Sequence, residues 1–260
     1  MIRFGPAGCG GREEAVSMLK EYSKLGITAC EIPFTYQIWM RETDAKIIGQ
    51  AAKELGIKLS IHAPYWINLN SKDKKKVIES RERILKCCEI GDILGAYLVV
   101  FHPGFYGKME KKETYGNIKK QVEIMQQEIT KHKWKIELAP ETTGKINVFG
   151  DIDEILRLMK DTGCFCCIDF AHLYARYQGR LSYKDIYEKF SSLPKLHCHF
   201  SGIKWGAKGE ISHKKTPETE IKSLLNALPK NKEIVIINES PAPVEDSVMA
   251  VKIWRKLHQD

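Results

Sequence analysis

Eight short runs of β-branched and apolar residues, each followed by a longer amphipathic stretch, recur along this chain at intervals of about 27 to 40 residues. Strands are expected at Ile2–Gly5, Ala29–Ile32, Lys58–His62, Tyr97–His102, Lys135–Ala139, Cys164–Asp169, Lys195–Phe200 and Glu233–Glu239. The stretches between them have helical patterning, as in Arg12–Gly26 and Thr43–Gly56. In the second, Thr43 suits the N-cap and Gly56 the position just past the helix end. Strand and helix alternating in this way give parallel strands with helical crossovers, and eight such units point to an α/β fold, the closed (β/α)8 TIM barrel. A doubly wound open sheet is the alternative, but Gly5–Gly11, GPAGCGG, lacks the G-x-G-x-x-G form of its phosphate loop. No Ser/Pro-rich linker or low-complexity tract interrupts the chain, so residues 1–260 are expected to form one barrel domain.

Composition removes several classes of function. No run of 18 apolar residues is present, and the start, MIRFGPAGCGG, turns glycine-rich at once, so neither a membrane span nor an export signal is expected. A cytoplasmic location follows as an expectation. The eight cysteines fall mostly in apolar runs, and Gly163–Cys167, GCFCC, has no second pair at zinc-finger spacing. They are read as reduced packing residues. The net charge of +8 permits a polyanionic partner without demonstrating one.

In a barrel of this kind the reactive groups sit where the strands end. The third strand ends in His62 and the fourth in His102; the fifth runs into Glu141. The sixth ends in Asp169, with His172 one turn on, and the seventh carries His197 and His199. The loop after it holds Glu210 and His213, and the eighth strand ends in Glu239. These side chains bind zinc or manganese as neutral imidazole or carboxylate. They are too many for one four- to six-coordinate ion, so two or three ions are expected. Only His132 and His258 fall elsewhere, in helical stretches, and both are read as surface residues.

Six segments carry a resemblance: SIHAPYWINLN, VVFHPG, PETTGK, CIDFAHLYARYQG, HFSG and INESP. In their order and spacing they resemble the family 2 AP endonucleases, the endonuclease IV-like enzymes of base-excision repair, over residues 57 to 241. The chain is identified as a divergent, shorter member of this xylose isomerase-like group. The resemblance implies a TIM barrel with a zinc centre of two to three ions, or Mn²⁺ on the same ligands. It implies hydrolysis of the phosphodiester 5′ to an abasic site, leaving a 3′-hydroxyl. Carried over by motif, His62, His102 and Glu141 would hold one ion. Glu141 would bridge to a second, shared with Asp169, His199 and Glu239, and would be the catalytic residue, orienting the attacking water. His172 and His213 would hold a third. There the family carries Asp-x-His where this chain reads Glu-Ile-Ser-His, which makes Glu210 the candidate third ligand. Tyr65 fills the position of an aromatic pressed against DNA, with Trp66 beside it. The partner implied is double-stranded DNA with abasic lesions, met by a monomer.

Lysines gather in the loops expected over the same face: Lys72–Lys76 (KDKKK), Lys108, Lys111 and Lys112, and then Lys204, Lys208, Lys214 and Lys215. Such loops would track phosphates. Where the family's early loop carries an Arg near NQRQW, this chain reads TYQIWM, with Gln37 and Trp39 as unassigned substitutes. Two alternatives stay open. A sugar epimerase or isomerase would need one divalent ion on Glu141, Asp169, His199 and Glu239 alone. A damage-recognition module would bind DNA without cleaving it.

Overall fold

Parallel pairing appears in all eight expected strand regions of the chain, of which the computed structural model describes residues 1–257. The barrel strands are β1 (Ile2–Pro6), β2 (Ala29–Pro33), β3 (Lys58–His62), β4 (Leu98–Phe101), β5 (Glu137–Pro140), β6 (Ile168–Asp169), β7 (Lys195–Phe200) and β10 (Glu233–Asn238). Two further strands, β8 (Gly202–Gly206) and β9 (Gly209–Lys214), form a separate antiparallel hairpin. The helices are α1 (Ala15–Lys24), α2 (Glu42–Glu54), α3 (Lys74–Leu94), α4 (Lys111–His132), α5 (Ile152–Thr162), α6 (Phe170–Arg176), α7 (Tyr183–Lys189), α8 (Glu218–Ala227) and α9 (Pro243–Leu257).

The barrel is assembled from two parallel sheets, ordered β2-β3-β4-β5 and β1-β10-β7-β6. Single bridges between Ala7 and Glu31 and between Glu141 and Cys167 join them along both edges and complete a TIM barrel. Strand residues are buried on both faces, the pattern of strands with side chains inside the barrel and helices outside. Ile32, Ile61, Phe101, Ile84 and Phe149 are fully buried between these layers, and each such side chain stabilises the fold by roughly 1.5–3 kcal/mol. All eight cysteines are free and buried. No helix among the described residues is long and apolar enough to cross a membrane.

The structure corrects four local expectations. The sixth strand forms a ladder only at Ile168–Asp169, with β7; its earlier part meets β5 through the Glu141–Cys167 bridge and isolated bonds such as Phe165 N–H to the Leu138 carbonyl (3.0 Å). The fourth and fifth strands likewise begin later than expected, at Leu98 and Glu137. Thr43 lies inside the first turn of α2; Arg41 holds the N-cap, its N–H donating to the Asp44 carboxylate (3.1 Å). The loop expected after the seventh strand is the β8–β9 hairpin. Gly56 does sit past the end of α2 with φ +69°, in the left-handed region that glycine tolerates.

Candidate metal centre

Glu141 follows β5 at the seam between the two sheets and has no solvent exposure. Its Oε2 lies 3.2 Å from His62 Nε2 and 2.9 Å from His102 Nε2. Its Oε1 lies 3.1 Å from His172 Nδ1 and 3.4 Å from His199 Nδ1. One buried carboxylate therefore stands among four imidazoles from four strand ends. Burial pushes the Glu141 carboxyl up, but His102 and His199 outweigh it and hold it well below the usual range. The remaining geometry follows from local structure. Asp169 caps α6 by accepting the His172 N–H at Oδ1 (2.7 Å), which leaves Oδ2 directed at His172 Nδ1 (3.1 Å). His62 Nδ1 lies 2.8 Å from the Ala63 carbonyl, which fixes the ring and turns Nε2 to Glu141.

The residues read at the strand ends come together in three sets: His62, His102 and Glu141; Glu141, Asp169, His199 and Glu239; His172, Glu210 and His213. Within each set the donor atoms lie within 4.8 Å of one another. The chemistry of the second set fits a cation. Glu141 Oε1, Asp169 Oδ2 and His199 Nδ1 are buried without an aligned hydrogen-bond partner, an expensive condition unless something else is held there. His172 Nε2 and His213 Nε2 face each other at 3.3 Å. Two neutral imidazoles cannot both present lone pairs across such a gap, whereas a shared ion or proton resolves it.

The third set depends on the hairpin. Trp205 pairs with Glu210 and Lys204 with Ser212, so Ile211 has no partner and forms a β-bulge. On a regular strand, residues three apart point to opposite faces. The extra residue restores the parity, and Glu210 and His213 face His172 together, Glu210 Oε2 at 3.5 Å. Two glycines dock the hairpin tip on the β5–α5 loop. A Cβ on Gly144 would lie 2.6 Å from the Glu210 Cβ, and one on Gly209 2.1 Å from the Gly144 carbonyl oxygen. Buried Arg176 holds that same loop, donating to the Val148 carbonyl (3.1 Å) and the Asp151 carboxylate (3.2 Å).

The three sets open into one cleft of about 570 Å³, lined also by Tyr65, Phe105, Lys145 and Ser240. Tyr65 and Trp66 are 59% and 64% exposed, so they stand at the rim and do not cap the core. Lys204, Lys208 and Lys214 are exposed on the hairpin, as are Lys215, Lys72 and Lys108 on loops and Lys111 and Lys112 in the first turn of α4. Gln37 is exposed, but Trp39 is half-buried, packed edge-on against Phe34 at the side of the core. His132 is exposed on α4; His258 lies outside the described residues.

Four residues escaped the sequence reading. Tyr36, exposed beside Trp66 with ring centroids 6.5 Å apart, is a third aromatic there. Ser201 Oγ lies 2.8 Å from His213 Nδ1. Arg176 is hidden inside a helical motif. Glu31, at the end of β2, has no exposure and lies 2.9 Å from His199 Nε2 and 3.1 Å from His197 Nε2. Burial pushes the Glu31 carboxyl up, but His199 and His197 outweigh it and hold it well below the usual range. A glutamate in the segment ACEIP carries no local signal of this.

Known proteins share the architecture. Over 271 aligned residues the chain is 34% identical to the uncharacterised protein MJ0133 of Methanocaldococcus jannaschii, covering 99% of this chain and 98% of that one. It is 26% identical to a probable endonuclease 4 of Aquifex aeolicus, over 68% of this chain and 66% of the relative. Among solved structures, endonuclease IV from Thermus thermophilus superposes with a TM-score of 0.72 at 18% identity, covering 100% of this chain and 99% of that one. A D-tagatose 3-epimerase-like protein does so with a TM-score of 0.74 at 17% identity, covering 99% and 98%. Those two likenesses establish the fold alone. The profile of the xylose isomerase-like TIM barrels, AP endonuclease family 2, matches residues 19–256. The chain therefore belongs to that family, as an endonuclease IV-like member.

Proposed function

We propose that this chain is a metal-dependent AP endonuclease of base-excision DNA repair, hydrolysing the phosphodiester 5′ to an abasic site to leave a 3′-hydroxyl. The observation that carries the reading is the convergence of three donor sets on one cleft. His62, His102 and Glu141 would hold one divalent ion; Glu141, Asp169, His199 and Glu239 a second; His172, His213 and Glu210 a third. Zn²⁺ is the ion expected, with Mn²⁺ accepted by the same ligands. Ions held there would supply Lewis acidity and lower the pKa of water toward neutrality.

The chain's own residues do the rest. Glu141 presents one oxygen to His62 and His102 and the other to His172 and His199, so it can span two ions and orient the attacking water. Tyr65 and Trp66 offer flat apolar faces at the rim, suited to replace stacking lost at a lesion. Lys204 and Lys208 would hold backbone phosphates of the duplex on the same side. The protein acts as a monomeric, single-domain enzyme of the cytoplasm in this reading.

A second reading has a specific basis. Glu141, Asp169, His199 and Glu239 alone would serve a sugar epimerase with one divalent ion, and epimerase-like structures share the fold. Such an enzyme has no use for His62, His102, His172 and His213 as further ligands. The deciding experiment incubates the protein with a duplex carrying one tetrahydrofuran abasic analogue, before and after chelation, with metal content measured on the same sample. Cleavage 5′ to the analogue, lost on chelation and regained with zinc or manganese, is the expected result. Glu141→Gln should lower cleavage more than about 100-fold, beyond what loss of an outer ligand partner does, while duplex binding remains measurable. One ion per chain, no cleavage, and turnover of a ketose would overturn the proposal in favour of the second reading.

A further inference from the structure

Strand β2 supplies nothing to the three donor sets, yet its Glu31 is fully buried beneath them. Ser60 Oγ on β3 donates to Glu31 Oε2 (2.7 Å), and His197 Nε2 lies 3.1 Å from the same oxygen. The Tyr97 hydroxyl is hydrogen-bonded to His197 Nδ1. With Tyr97 as donor, the remaining hydrogen of His197 is on Nε2 and points at Glu31. Oε2 is thereby occupied twice; Oε1 and His199 Nε2 stand 2.9 Å apart, both buried and neither in an aligned hydrogen bond. The opposite ring nitrogen, Nδ1, lies 3.4 Å from both Glu141 Oε1 and Glu239 Oε1.

We infer that Glu31 is the positioning residue of His199: its otherwise unpartnered Oε1 faces Nε2 and would take that N–H when Nδ1 is given to the second ion set. A histidine that binds a metal through one nitrogen needs a fixed partner on the other, and a buried carboxylate is the strongest such partner. Ser60, His197 and Tyr97 in turn hold the carboxylate, so the strut runs across the barrel interior from β2 and β3 to β7. A different use of the same floor would be an ion on Cys167, His197 and His199, whose donors also lie within 4.8 Å of one another. Both nitrogens of His197 are already engaged, by Tyr97 and Glu31, which favours the strut.

The inference rests on the metal-binding half of the proposed function and not on the reaction. Its test titrates the whole protein with Co²⁺, following visible absorption and competition with a chelating dye. Glu31→Gln should weaken binding of one ion about 10- to 100-fold, alter that ion's absorption and leave the other ions unchanged. Ser60→Ala, which leaves the carboxylate in place but less constrained, should act in the same direction more weakly, and decides the matter if Glu31→Gln does not fold. In a His199→Gln background neither substitution should add to the loss, because the group being positioned is gone. Equal weakening in both backgrounds, or none in either, overturns the inference. So does a wild-type chain that binds no cobalt, or a near-ultraviolet thiolate band that disappears in Cys167→Ser. A duplex left uncleaved beside the expected cobalt results would sink the reaction and leave the strut standing.

Discussion

At the scale of single residues, His62 shows how the centre stores charge. Burial would lower its pKa, but Glu141 pushes it from 6.5 up to about 9. His172 behaves alike, lowered by burial and raised well above its ordinary value by Asp169 and Glu141. An imidazole with a raised folded-state pKa stabilises the fold while charged. For His62 that contribution is complete below pH 6.5 and lost as pH rises through about 9. The chelated protein should therefore melt at progressively lower temperature across that interval, and His62→Gln should flatten part of the slope. A bound ion requires the neutral ring, so the metal-loaded protein should gain stability relative to the chelated one over the same interval. Thermal unfolding of both forms across that interval checks the sign; parallel curves would contradict it. Legibility also divides at this scale. A strand-end histidine announces itself because the barrel dictates where it must stand. Glu31 does not, since its role exists only through β7 on the far side of the interior, and Ser201 matters only because the hairpin brings His213 to it.

At the scale of elements, the β8–β9 hairpin explains how Glu-Ile-Ser-His can serve where Asp-x-His is the family pattern. Strand periodicity alone puts Glu210 and His213 on opposite faces, and the pairing that leaves Ile211 unpartnered puts them on one. Bulges depend on the opposing strand, which is why the segment reads as loop from its own residues. Deleting Ile211 yields Glu-Ser-His on a regular strand and should keep both side chains on the same face, with the metal content of the protein unchanged. Inserting one Ala between Ser212 and His213 should turn one of them away and remove about one ion per chain. Elemental analysis of the two variants separates this account from one in which any change in hairpin length is harmful. The short β6 has a comparable lesson: Asp169 both ends the strand and caps α6, so strand pairing stops where the cap begins.

At the scale of the whole molecule, the exposed lysines follow the C-terminal ends of β3, β4 and β7, the end of a barrel where the functional loops gather. Binding to a phosphate backbone releases counterions, so affinity for duplex DNA should fall linearly on a log–log plot against salt. Replacing Lys204 and Lys208 by Ala should weaken binding across all sequences and reduce the slope by about one per lysine that contacts phosphate. An unchanged slope would place the duplex elsewhere. The eightfold alternation made the closed barrel legible from sequence, because few other folds use parallel strands at that spacing. Its division into two sheets was not, since it depends on which neighbouring strands lose their ladder.

That division has a mechanical consequence. Each half of the barrel is a shell of four strands, and the shells meet at two lines that the backbone fastens with one bridge and a few hydrogen bonds each. Glu141 belongs to one shell, while Asp169, His199 and Glu239 belong to the other. An ion shared among them would act as a rivet through the joint, and the contact of Glu31 with His199 is a tie-rod between the same shells. Chelation should therefore loosen the joints before it loosens the shells. Amide hydrogen exchange should accelerate first at Thr142 and Cys167, whose N–H groups cross the β5–β6 joint (3.0 and 3.1 Å), and at Gly8, which crosses the other (2.8 Å). Amides inside the β3–β4 ladder should keep their protection, and a barrel that loosened uniformly would show that no rivet was there.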